Sequence, residues 1–295
     1  MHGCREPPVA VLNSTLPSDL SDQVARALRE DIGSGDITAA LISARSQARA
    51  RVLCREPAVL CGAPWFNETF RQLDPAVEIR WRFHDGASVA ADTILCDLHG
   101  PARAILTGER TALNFLQLLS ATASITRRYV EAVTGTSCRI LDTRKTIPGL
   151  RSAQKYAVRC GGGANHRLGL YDMVLIKENH IAAAGSIAAA VAAARSHSAQ
   201  VRVEVEAENL EQVAQGLAAC ADIIMLDNFN IEQMRAAVAL NRAHERPVQL
   251  ESSGGVTLES LRAIAETGVD YISVGSLTKN IAAIDLSMRI EANAG

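Results

Sequence analysis

No stretch of the 295-residue chain is apolar for long enough to cross a bilayer. The longest charge-free apolar run, 181–194, is Ala-rich and falls short of the roughly 20 residues a spanning helix needs. The first twenty residues carry three prolines and lack the apolar core of an export signal. The expectation is a cytoplasmic protein with no membrane partner. Aromatic residues are scarce: five Phe, four Tyr and two Trp cannot build a base-stacking platform, so the core must rest on Ala, Val, Leu and Ile. Charge of one sign is also missing. Thirty Lys and Arg face 32 Asp and Glu, a formal net charge of −2 that argues against a nucleic-acid partner. The seven cysteines, at 4, 54, 61, 96, 138, 160 and 220, are odd in number and scattered, with no C-x-x-C pair. That excludes a disulfide framework and a zinc finger and predicts reduced, mostly buried thiols. The P-loop and dinucleotide glycine signatures are absent, and no Ser or Cys has the flanking glycines of a hydrolase elbow.

What is present divides into two unlike parts. Leu20, Val24 and Leu28 share one face of a helix predicted over 18–31, with Ser18 or Asp19 as its cap. Strand-like runs follow at 50–54, 59–61, 77–83 and 93–98, separated by turn signals such as Asp85-Gly86 and Gly100-Pro101, which predicts a mixed, mainly antiparallel region. A long helix is then expected from Thr107 to about Val133. Arg110 would lie in its first turn, where a cation opposes the macrodipole; a ligand or interface role explains it better than helix stability. Beyond residue 137, short apolar strands at 138–141, 173–176, 201–205, 223–226, 248–250 and 271–274 alternate with helical segments at 185–198, 208–219, 230–243 and 257–266. Continuous apolar strands alternating with helices mean parallel βαβ units, here with barrel-like closure.

The residues closing these strands are polar or small: Asp142 with Arg144 and Lys145, Lys177, Glu206, Asp227, Glu251 with Ser252 and Ser253, and Gly275 with Ser276. In a βα barrel such positions converge on one mouth. Two groups stand out. Arg144, Lys145, His166, Arg167 and Lys177, with Arg110 as a sixth member, suit a small polyanion, because guanidinium forks and ammonium charges both favour carboxylate or phosphate. Glu206, Asp227 and Glu251 suit either a magnesium diphosphate, since Mg²⁺ takes one or two carboxylates plus phosphate oxygens, or the hydroxyls of a sugar. Glycine runs at 161–163 and 254–255, and Gly275, are expected to lead into helices and offer backbone N–H groups to an anion. His2, His84, His99, His197 and His244 fall on expected loops or solvated helix faces without metal spacing, and His180 is expected to orient its neighbours.

These residues resemble one family, quinolinate phosphoribosyltransferase. The resemblance rests on Glu30-Asp-Ile-Gly-Ser-Gly-Asp-Ile-Thr38, Gly108-Glu-Arg-Thr-Ala-Leu-Asn114, Asp142-Thr-Arg-Lys-Thr146, Asn165-His-Arg-Leu-Gly-Leu-Tyr-Asp172, Leu175-Ile-Lys-Glu-Asn-His180, Val203-Glu-Val-Glu206, Leu226-Asp-Asn-Phe229 and Glu251-Ser-Ser-Gly-Gly255. It implies an α/β fold: an N-terminal mixed α/β open-sandwich domain over 1–115 and an incomplete parallel α/β barrel over 116–295, whose last ~15 residues pack back on the first domain. It implies transfer of a phosphoribosyl group from phosphoribosyl pyrophosphate to quinolinate with decarboxylation, giving nicotinate mononucleotide, pyrophosphate and CO₂, a step of NAD biosynthesis. Arg110 (from the partner of a homodimer), Arg144, Lys145, His166, Arg167 and Lys177 would then bind quinolinate. Glu206 and Asp227 would face the ribose and Mg²⁺, and Ser253, Gly254 and Gly275 the 5′-phosphate; Lys145, Glu206 and Asp227 would be catalytic. Rival readings are a Schiff-base barrel enzyme built on Lys177, a re-purposed homologue associated with molybdate transport, and a nicotinate-specific relative.

Overall fold

The computed structural model describes residues 15–198 and 200–291; His2 and Cys4 lie outside them. The N-terminal part opens with α1 (Leu20–Ile32) and a 3-10 turn (Ala39–Leu41). It continues through β1 (Gln47–Cys54), β2 (Ala58–Val59), α2 (Ala63–Leu73), β3 (Glu78–Trp81), β4 (Ser88–Val89) and β5 (Thr93–Pro101). Helix α3 (Ala102–Ala132) then leads into β6 (Arg139–Leu141), α4 (Arg151–Cys160), β7 (Val174–Ile176), α5 (Glu178–Ala184) and α6 (Ile187–His197). The rest is β8 (Val203–Ala207), α7 (Leu210–Ala218), β9 (Ile223–Asp227), α8 (Ile231–Ala243), β10 (Gln249–Ser253), α9 (Leu258–Ala265), β11 (Tyr271–Ser273), α10 (Ser276–Lys279) and β12 (Leu286–Glu291).

Alternation builds the first sheet. In β1, Ala48, Ala50, Val52 and Cys54 are buried while Arg49 and Arg51 face solvent, so one face packs on α2 and α3 and the other stays wet. The order is β12-β1-β5-β3; β12, near the end of the chain, comes back to pair antiparallel with β1 from Arg49↔Glu291 to Cys54↔Leu286. His99, expected on a loop, stands on the solvent face of β5, because the strand runs on to Pro101 before turning.

The second sheet is parallel, six-stranded, in the order β6-β11-β10-β9-β8-β7. β8 is buried along its whole length, as expected of a strand covered on both faces. Helices ring the outside, and Ile140, Ile176, Val205, Leu226, Leu250 and Ile272 fill the core. β6 and β7 are the two edges, so the barrel is incomplete. The seam between them is occupied by residues 164–167: Ala164 N–H donates to Ile140 O at 2.8 Å, and Asp142 N–H to Ala164 O at 3.1 Å.

Three local expectations are corrected. The long helix starts at Ala102, not Thr107. Ala102 N–H is engaged by Ser46 O at 2.9 Å, a tertiary contact, so Thr107 is no cap. Thr107 Oγ1 instead donates to Asp36 Oδ2 at 2.8 Å. Arg110 therefore lies in the third turn, where the macrodipole argument has little force. Asp19 does not cap α1; its carboxylate accepts from Gln23 Nε2 (2.9 Å) and Ser152 Oγ. The 161–163 glycines follow α4 rather than precede a helix, and they let it approach α3. A Cβ on Gly161 would stand 2.5 Å from Ala123 O, and one on Gly163 2.8 Å from Thr126 Cγ2. Because the Ala123 contact is backbone, Gly161→Ala is expected to destabilise the fold by about 1–3 kcal/mol, read as a lowered Tm.

Candidate active site

The C-terminal ends of the six parallel strands make one rim. Ile176 is level with Val205 and Asp227 with Ser253, so Lys177, Glu206, Asp227 and Ser253 follow one another around the mouth. Lys177 Nζ is ion-paired with Glu206 Oε2. Asp227 Oδ2 accepts from Asn228 Nδ2 at 2.8 Å. Glu206 Oε1 and Asp227 Oδ1 carry no hydrogen bond among the described residues. Gly254, at φ +97°, is packed on Asn228, whose Oδ1 would lie 2.1 Å from an added Cβ; nothing larger fits. Across the mouth, exposed Lys145 crosses Gly275, where an added Cβ would meet Lys145 Cδ at 2.9 Å. Thr278 Oγ1 holds the Lys145 carbonyl at 2.9 Å.

The remaining cations are mounted on or beside the seam. Asp142, fully buried, gathers three donors: Lys155 Nζ, Asn165 Nδ2 at 2.6 Å and His166 N–H at 2.9 Å. Lys155 Nζ also donates to His166 O at 2.9 Å. This clamp fixes the backbone at 165–166 and so the directions of His166 and Arg167. Arg167 Nη1 donates to Met173 O at 3.3 Å; burial first, then the neighbouring Arg144 charge, pulls its guanidinium below the usual value. Neither Arg144 nor Arg167 has a carboxylate within 4.0 Å among the described residues, and Arg144 Nε is buried without a partner. Two neighbouring guanidinium groups with no carboxylate in contact make a site suited to an anion.

His166 turns its Nε2 inward, 2.8 Å from Glu204 Oε2 and 3.5 Å from Glu251 Oε2. Both acids are fully buried. Burial pushes Glu204 up to about 7; burial and then the Glu204 charge push Glu251 up to about 8. Burial likewise lowers His166 below its ordinary value.

The rim thus brings together Lys145, Lys177, Glu206, Asp227, Ser253, Gly254 and Gly275, and the seam adds Arg144, His166 and Arg167. Arg110 is not among them. It is exposed, without hydrogen bond or ion pair among the described residues, on a stretch of α3 whose neighbours are α1 and α2: Gly108 abuts Phe70 and Leu73, and Thr111 Oγ1 reaches Asp31. Glu251, read from its spacing as a mouth acid, is corrected to the barrel interior. The chain turns at Ser253, two residues later, so Glu251 points down while Ser253 reaches the rim. His180 Nδ1 accepts from Lys177 N–H at 3.0 Å, capping α5.

Several residues that shape the site were not singled out from the sequence. Glu204 carried a signal: an acid two places before Glu206 shares its face, one layer deeper in a strand otherwise apolar. Asp142 was read as a strand-end residue, but its clamp on Lys155 and Asn165 carried no signal, since it joins residues from three segments. Asn228, at φ +56°, passes its N–H to Ser253 O at 2.9 Å and ties two strand ends together.

Family models agree with this layout. Residues 36–120 match the quinolinate phosphoribosyl transferase N-terminal domain, and residues 122–289 match its C-terminal domain. The chain is 44% identical over 262 residues to a probable nicotinate-nucleotide pyrophosphorylase [carboxylating] of Bacillus subtilis, covering 88% of this chain and 90% of that protein. It is 37% identical over 279 residues to the human nicotinate-nucleotide pyrophosphorylase [carboxylating], covering 94% and 93%. Among solved structures, the nicotinate-nucleotide pyrophosphorylase of Francisella tularensis superposes with a TM-score of 0.90 at 48% identity, over 94% of this chain and 98% of that one.

Proposed function

Because the chain belongs to the quinolinate phosphoribosyltransferase family, it is a pentosyltransferase that joins quinolinate to phosphoribosyl pyrophosphate, and we propose that it does so at the barrel mouth. The products are nicotinate mononucleotide, pyrophosphate and CO₂, an entry step to NAD. The observation that carries this placement is the pair of Arg144 and Arg167 guanidinium groups, adjacent and without a carboxylate partner. With Lys145, Lys177 and His166 they hold the pyridine dicarboxylate. Each charge-assisted hydrogen bond contributes about 1.5–3 kcal/mol.

Glu206 and Asp227 take the ribose side. Each has one carboxylate oxygen uncommitted to other described residues, and one or two such oxygens plus phosphates are the ordinary Mg²⁺ donor set, so the residues fit the ion. When bound, Mg²⁺ supplies charge neutralisation to the departing pyrophosphate. Ser253, Gly254 and Gly275 receive the 5′-phosphate, where the absence of side chains at 254 and 275 leaves the backbone accessible.

The quinolinate nitrogen forms its bond to ribose C1 as the C1–oxygen bond breaks, and that electron pair leaves with pyrophosphate. The sugar passes through a cation-like transition state, for which the Glu206 and Asp227 carboxylates supply the facing charge. The pyridinium then accepts the electron pair of the C2–carboxylate bond; CO₂ departs and a proton takes its place. No protein nucleophile is consumed: positioning and charge neutralisation carry the rate. Membership of the family sets aside the rival Schiff-base reading of Lys177.

The mouth is completed by a second copy of the chain, whose Arg110 enters it. The support is that Arg110 is exposed and unpaired among the described residues, and that the most exposed large apolar side chains are Ile37 (86%), Leu41 (85%), Tyr171 (79%) and Leu170 (77%). Such a set suits a covered surface rather than water. No described helix is long and apolar enough to cross a membrane, and we place the enzyme in the cytoplasm, with no nucleic acid as partner.

The direct test is an assay of quinolinate with phosphoribosyl pyrophosphate and Mg²⁺, following nicotinate mononucleotide and CO₂. Lys145→Ala is expected to lower kcat by on the order of 10²-fold with little change in Tm, since the side chain is exposed and only crosses Gly275. Undiminished turnover would remove Lys145 from the site.

A further inference from the structure

Beneath the mouth, three groups from three segments meet in a space closed to solvent. His166 Nε2, a Glu204 oxygen and a Glu251 oxygen all lie within 4.8 Å of one another. Glu204 Oε1 and both oxygens of Glu251 are buried with no hydrogen-bond partner among the described residues. A fully buried carboxylate with neither oxygen engaged is too costly to keep ionised; a proton shared with the adjacent acid resolves it. A metal ion would resolve it too. However, ligand atoms about 2.0–2.2 Å from a common ion stand ~3 Å or more apart, and His166 Nε2 is only 2.8 Å from Glu204 Oε2, a direct hydrogen bond.

We propose that Glu251 is a positioning residue for the transfer: it backs His166 from inside the barrel, 3.5 Å from the Nε2 that Glu204 holds, and it does so as the uncharged acid, so that the floor of a dianion site carries no second negative charge. This rests on the placement of quinolinate above His166. His166 Nδ1 makes no hydrogen bond among the described residues, which leaves that edge of the ring for the substrate. Around Glu251 stand Glu204 from β8, His166 and Arg167 from the seam, Ser273 from β11, and more distantly Lys155 from α4 with Asp142 from β6. Of the cations among them, Lys155 is held by Asp142, and Arg167 gives its hydrogen bond to Met173 O and has no carboxylate within 4.0 Å among the described residues. Neither is in contact with Glu251, and His166, which is 3.5 Å away, is itself held below its ordinary value by burial.

The sign of the pH effect follows. Glu251 stays protonated below about pH 8 and ionises above it. Ionisation places a charge under the dicarboxylate, so the KM for quinolinate rises in alkaline solution, up to about tenfold per pH unit, while the KM for phosphoribosyl pyrophosphate does not follow. In Glu251→Gln, which keeps the shape and cannot ionise, that rise disappears. Glu251→Asp, with a shorter reach to His166, raises the quinolinate KM already at neutral pH rather than lowering kcat. A second readout needs no substrate. The unfolded chain ionises Glu251 near its ordinary value and the folded chain resists until about 8, so wild-type stability falls across that interval. The Tm advantage of Glu251→Gln should therefore widen between about pH 5 and about pH 8.

Three results overturn the assignment. One is an alkaline rise shared by wild type and Glu251→Gln, with a constant Tm difference. Another is a Glu251→Gln defect that falls equally on both substrates at every pH, as a merely structural role requires. The last is a stoichiometric divalent ion that survives chelation in wild type and is lost in Glu251→Gln, which marks a metal centre instead. A wild type that forms no nicotinate mononucleotide sinks the functional reading as well, so the two failures are told apart by the wild-type assay alone.

Discussion

Arg110→Ala and Lys177→Ala preparations, each reduced on the order of 10²-fold in kcat/KM when pure, are expected to recover about a quarter of wild-type activity when their subunits are exchanged. In a two-fold dimer whose mouths each take Arg110 from the other copy, a mixed pair has one mouth with both residues and one with neither. Random exchange makes half of the dimers mixed, and half of their mouths are intact. Lys177 stands at the rim, paired with Glu206, whereas Arg110 lies on α3 among α1 and α2, so the two substitutions act on opposite sides of the shared site. Activity plotted against mixing ratio should peak near equal amounts. A flat, low line after proven exchange would remove the second copy from the mouth.

The second large effect concerns the seam. Lys155→Met is expected to destabilise the fold by about 3–5 kcal/mol, because it leaves the Asp142 carboxylate buried without its cation. In a chain of this size that is a fall in Tm on the order of 10 °C. Asp142→Leu alone should cost a comparable amount, since Lys155, Asn165 and His166 N–H all lose their acceptor. The double substitution should be less harmful than the sum of the two, a coupling that thermal or denaturant melts measure directly. Strict additivity would mean that the pair does not act as one unit.

The barrel strands were legible because a parallel strand covered on both faces reads as an unbroken apolar run, and the residue that breaks the run marks the rim. That is how Lys177 and Asp227 were found, and both stand where their strands end; Glu206 lies one residue inside the end of β8, whose run Glu204 already interrupts. Where the structure departs from expectation, the deciding contact is non-local. Helix α3 starts at Ala102 because the end of β5 turns directly into it, with Ser46 receiving the first N–H; Gly100-Pro101 marks a turn there, but no capping side chain marks it as a helix start. α4 was not anticipated because its segment is polar, yet it buries Gln154 and Lys155 along with Ala153, Tyr156 and Val158. The 161–163 glycines look like an anion loop by composition and serve instead the contact of two helices. Spacing placed Glu251 at the mouth; the depth at which β10 carries it places it below.

The open seam has a mechanical side as well. In a closed barrel every stave is laced to a neighbour on each edge, and none slides without tearing both lacings. Here β7 is laced only to β8 among the described strands, and the 164–167 segment meets β6 through a single bridge at Leu141 and Ala164. What the seam lacks in strand lacing it recovers from one buried side chain: Asp142 holds Asn165 and the His166 N–H, and Lys155 holds the His166 carbonyl. The wall that carries His166 and Arg167 therefore hangs on the Asp142–Lys155 pair rather than on strand pairing, and loosening that pair loosens the wall.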